Sequence, residues 1–141
     1  MLSVNNNGQN MSEQQTVSEF KSKSGMRRIF AAFFYSIDGL LVAIRSEHAF
    51  RQELLLAAVA AVVALLLPVS AIEKLLLIGV MVLVLIVELL NSAVEAVVDR
   101  VSLERHPLSK NAKDFGSAAV LLALLLAGAT WIVVLWRWWS A

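Results

Sequence analysis

The chain contains no cysteine, and only 16% of its 141 residues are charged. Without cysteine there is neither a disulfide framework nor a thiolate zinc site. The net charge of +1 gives no electrostatic footprint for nucleic acid. No Walker A pattern and no glycine-rich phosphate loop occur, so a nucleotide site would need another design. The N-terminal stretch also lacks the apolar run of a secretory signal. Its Asn, Gln, Ser and Gly content predicts a disordered polar tail over about residues 1–23, too polar to offset its ordering entropy by burial.

What remains is strongly apolar: 59% of the residues are hydrophobic, and they lie in long blocks. Such blocks suit a lipid solvent and not a water-facing surface. The expected fold is therefore an all-α membrane protein, with one membrane domain over residues 24–141. Apolar residues at Met26, Ile29, Phe30, Phe33, Phe34, Ile37, Leu40, Leu41 and Ile44 recur in steps of three and four. With Arg27, Arg28, Tyr35, Ser36, Asp38 and Arg45 on the remaining positions, they predict an N-terminal amphipathic interfacial helix over about 26–46. Three transmembrane helices follow, at about 53–70, 74–99 and 116–138. At about 1.5 Å per residue, roughly 20 residues cross a core of about 30 Å.

Basic residues set the orientation. Lys21, Lys23, Arg27, Arg28, Arg45 and Arg51 precede the first span, and Arg100, Arg105, Lys110 and Lys113 lie between the second and third. The other flanks hold Lys74 and Arg137. The positive-inside rule places the N-terminus and second loop in the cytoplasm and the C-terminus outside. Trp131, Trp136, Trp138 and Trp139 then fall toward the outer interface, as an aromatic anchor.

The second span carries the chemistry. Glu88, Asn91, Glu95 and Asp99 are spaced three, four and four apart. On a helix they fall within an arc of about 80° and form one polar stripe. Ionisable groups inside a membrane are expensive, which marks them as candidate functional residues, with helix-to-helix hydrogen bonding as the plainer alternative. Glu47, His48, Arg51, Gln52 and Glu53 form a second polar group. The second loop supplies a third: Glu104, Arg105, His106, Lys110, Lys113 and Asp114. All three would meet at the cytoplasmic interface, where carboxylates can hold Mg²⁺ and cations can take phosphates. The isolated His48 and His106 make no zinc site.

Three segments, FRQE (50–53), VELLNSAVEAVVDR (87–100) and AKDFGSAAV (112–120), resemble the signature of the prokaryotic diacylglycerol kinases. The resemblance runs over about residues 25–136. It implies a homotrimer of three-span protomers in a bacterial cytoplasmic (inner) membrane, with active sites between neighbouring subunits. It also implies ATP-dependent phosphorylation of diacylglycerol with Mg²⁺. By the same resemblance Glu88 is the catalytic base, Asn91 a catalytic polar neighbour, and Glu47 and Glu95 the metal ligands, which also touch ATP. Arg28, Tyr35, Glu104, Arg105, His106, Lys113 and Asp114 match ATP-binding positions, and Glu88, Ser117 and Trp131 the lipid side. The sequence departs from the family pattern at Ser46, where Asn is usual, and at Ile37 and Asp38, which replace a Trp–Lys pair. Other readings of the same residues are an undecaprenol kinase of the same family, a small proton-coupled transporter, or a structural membrane subunit.

Overall fold

The computed structural model describes residues 25–101 and 106–140. These residues form four helices and no strand: α1 (Gly25–Ser46), α2 (His48–Leu66), α3 (Ala71–Val101) and α4 (Pro107–Ser140). All four are long and apolar enough to cross a membrane, α1 included. The chain divides into two compact units, Met1–Leu40 and Leu41–Ala141. The second contains the end of α1 and all of α2, α3 and α4. The tail expected over 1–23 lies outside the described residues.

Local chemistry fixes where each helix starts and stops. Between α1 and α2 only Glu47 leaves the helical region, with φ −96° and ψ 115°. Arg51 closes this corner by donating from Nη1 to the carbonyls of Ile44 and Arg45, at 3.2 and 3.1 Å. These are carbonyls that the end of a helix leaves without partners. Arg51 Nη2 also lies 2.8 Å from His48 Nδ1. The helix that carries the first span thus begins at His48, and the polar FRQE segment lies within its first two turns. At its other end, Leu67 is extended (φ −63°, ψ 138°) ahead of Pro68, as the proline ring requires of the residue before it.

A reciprocal cap starts α3. Ser70 Oγ accepts from the Glu73 N–H at 3.3 Å, while Glu73 Oε2 accepts from the Ser70 N–H at 2.9 Å and from its hydroxyl at 2.7 Å. Lys74 Nζ donates to Leu65 O at 2.7 Å, and Arg137 Nη1 lies 3.4 Å from Glu73 Oε1, so this corner touches α2, α3 and α4. Pro107 opens α4, where its missing N–H is no loss. His106 Nδ1 accepts from the Leu108 N–H at 3.2 Å. Consequently Lys110, Lys113 and Asp114, expected in a loop, stand on the first turns of α4.

Helix α3 packs against both α2 and α4. One buried cluster joins Ala57, Met81, Val84, Ala123 and Ala127, and a second joins Ala64, Leu77 and Val134. The alanines of α2 and α4 leave room for α3 to approach, the usual device of helices that associate in lipid. Phe50, 2% exposed, is among the largest fully buried side chains. Phe50→Ala is expected to lower stability by about 3–5 kcal/mol, read as an earlier unfolding midpoint in a denaturing-detergent titration. A midpoint equal to that of the wild type would contradict this packing.

Candidate active site

The site is built on α3. Glu88, 4% exposed, is the buried charged side chain among the described residues. It stands where the apolar half of α3 gives way to the polar stripe, with Asn91 and Glu95 half-buried beyond it and Asp99 exposed. Asn91 Nδ2 donates to Glu95 Oε1 at 3.4 Å, and the Asn91 amide also acts on the Glu88 carboxyl. Three members of the stripe predicted from spacing, Glu88, Asn91 and Glu95, are therefore connected side chains.

Two other elements bring carboxylates to it. The fields of Glu95 and of Glu47, at the α1–α2 corner, reach Glu88. The charge of Glu88 in turn reaches Glu53, one and a half turns into α2. Glu53 Oε2 is buried without a hydrogen-bond partner. Glu53 is expected from the sequence only as one member of the polar group ahead of the first span, and the packing of α2 on α3 reveals its neighbour. Among the described residues none of Glu47, Glu53, Glu88 and Glu95 is ion-paired. Uncompensated carboxylates so placed favour a cation.

The basic residues are arranged differently. Lys113 Nζ lies 2.6 Å from Asp99 Oδ1, joining the end of α3 to the start of α4. Lys110 and Asp114 pair with each other along α4. A phosphate that engages Lys113 would share it with Asp99. His106 is exposed and caps α4. Glu104 and Arg105 lie outside the described residues. Arg28 and Tyr35 are exposed on α1 and belong to the first compact unit, whereas the carboxylates belong to the second.

Ser117, also exposed, follows Gly116 on α4. Trp131 stands fourteen residues further on, roughly 21 Å along the helix, so one small headgroup cannot touch both. Trp131 lines an apolar groove of about 380 Å³ with Leu56, Val59, Met81, Leu124 and Gly128, and its Nε1 is buried without a partner.

Among the described residues no three His, Asp or Glu side chains converge closely enough to form a metal site by themselves. A divalent cation held by one or two of these carboxylates would need substrate phosphates and water to complete its shell.

The family model for prokaryotic diacylglycerol kinase matches residues 34–135. A diacylglycerol kinase of Pseudomonas aeruginosa is 58% identical over 118 residues, which cover 84% of this chain and 96% of that protein. One of Escherichia coli K12 is 52% identical over 113 residues, covering 80% and 93%. One of Haemophilus influenzae is 44% identical over 108 residues, covering 77% and 92%.

Proposed function

Because the chain belongs to the prokaryotic diacylglycerol kinase family, we propose that it transfers the terminal phosphoryl group of ATP to the hydroxyl of diacylglycerol, giving phosphatidic acid and ADP at the cytoplasmic face of a bacterial inner membrane. The observation that carries this reading is the buried Glu88, linked through Asn91 to Glu95 on α3 and within electrostatic reach of Glu47 and Glu53.

Phosphoryl transfer asks for positioning and charge neutralisation more than for covalent help. The lipid oxygen bonds to phosphorus as the bond to the bridging oxygen of ADP breaks. Glu88 accepts the hydroxyl proton, and its place on a membrane helix lets the alcohol arrive sideways from the bilayer. Glu47 and Glu95 would hold Mg²⁺, whose chemistry is to neutralise the phosphate oxygens. Asn91 orients Glu95 through its N–H. Arg28, Tyr35, Glu104, Arg105, His106, Lys113 and Asp114 are the nucleotide side of the proposal, and Ser117 and Trp131 the lipid side.

The test of substrate is a competition. Purified protein in vesicles receives ATP, Mg²⁺, diacylglycerol and undecaprenol together. Phosphatidic acid is the expected product, and undecaprenyl phosphate in its place would reassign the enzyme within its family.

A homotrimer is the proposed assembly. A closed ring gives part of the exposed apolar helix faces a protein neighbour. The family resemblance implies active sites between neighbouring subunits, while within one chain the charges of Glu47 and Glu95 already reach Glu88. Mixing inactive Glu88→Gln and Glu47→Ala chains is therefore expected to restore no activity. Recovery in verified mixed assemblies would show that the pair is shared between subunits.

A further inference from the structure

Gly116 sits on α4 between the motif residues Asp114 and Ser117, and the mechanism above gives it no task. A glycine inside a helix is destabilising relative to alanine, so this position needs a reason. A Cβ placed on Gly116 would fall 2.2 Å from Asn91 Oδ1 and 3.2 Å from Asn91 Cγ, but 3.7 Å from Asn91 Cα. The first distance is a clash and the last an ordinary contact. The obstacle is the Asn91 carboxamide and not the backbone of α3. Gly79 and Gly128, on the same two helices, have nothing within 4 Å of an added Cβ.

The orientation of that carboxamide matters to its neighbours. Its oxygen fills the space beside Gly116 and is buried with no hydrogen-bond partner. Its NH₂ is thereby turned toward the carboxylates, donating to Glu95 Oε1 and acting on Glu88. Rotated by half a turn, the amide would set its oxygen, an acceptor, against the Glu95 oxygen that now accepts from it. A side chain at position 116 would push Asn91 out of the orientation in which it serves both.

We propose that Gly116 is a positioning residue for phosphoryl transfer: the space left by its missing side chain holds the Asn91 carboxamide with its donors on Glu88 and Glu95. The proposal rests on the kinase reading of these carboxylates and adds to it a residue on α4 that touches no reactant.

The test is a double-mutant cycle in full-length protein reconstituted in lipid vesicles. Gly116→Ala is expected to lower kcat about tenfold to a hundredfold, the loss typical when a partner orienting a site ligand is disturbed. The KM for diacylglycerol should stay within about twofold. Gly79→Ala should leave kcat unchanged. Adding Asn91→Ala to Gly116→Ala should give the kcat and the thermal midpoint of Asn91→Ala alone, because the clash disappears with the carboxamide. Wild-type kcat in Gly116→Ala, or losses that multiply in the double variant, would overturn the proposal. If Gly116→Ala does not fold, a folded double variant supports the proposal and an unfolded one overturns it. A wild-type protein that transfers no phosphate would overturn the kinase reading itself. The thermal midpoints would still decide whether Gly116 acts through Asn91.

Discussion

Glu88→Gln is expected to lower kcat by about a hundredfold to ten-thousandfold, the range that a positioned general base contributes. Glutamine keeps the volume and part of the polarity of the side chain but cannot take a proton from the lipid hydroxyl. The substitution removes charge from a site only 4% exposed, so folding should not suffer. ATP affinity should also hold, since the proposed metal ligands, Glu47 and Glu95, are untouched. The measurement is kcat against both substrates, with nucleotide binding followed separately. A variant that keeps more than about a tenth of wild-type kcat would remove Glu88 from the role of base.

Glu95→Ala and Glu47→Ala should act on the metal. Each deletes a hard oxygen donor of the kind Mg²⁺ prefers. The half-saturating Mg²⁺ concentration is expected to rise at least about tenfold in either variant, and ATP binding should weaken with it. Glu95→Ala should be the more damaging, because Asn91 Nδ2 also loses its acceptor there. A Mg²⁺ titration that superimposes on the wild type in either variant would defeat the assignment of that residue.

The helices and the stripe were legible for one reason. In lipid, an ionisable residue stands out against an apolar run, so Glu88, Asn91 and Glu95 announce themselves by type and spacing alone. Pro68 likewise marks the end of α2 through a steric rule that needs no tertiary context. Contacts between elements were not legible. Nothing in FRQE says that Glu53 will face Glu88, since that depends on how α2 rotates against α3. The pairing of Lys113 with Asp99 depends on the connection between α3 and α4 and on α4 beginning as early as Pro107. Charges crowded between two spans suggest a loop, and here the proline at the first helical position overrides them. Gly116 carried a signal, a glycine within a helical motif, but its meaning appears only once Asn91 lies across from it.

The central claim is that this carboxylate cluster transfers phosphate to a lipid alcohol. The most direct measurement follows the labelled terminal phosphate of ATP in vesicles that contain the protein. Label is expected in phosphatidic acid, dependent on both Mg²⁺ and diacylglycerol and lost in Glu88→Gln. Label that stays in ATP, or leaves it as inorganic phosphate whether or not a lipid alcohol is present, would contradict it.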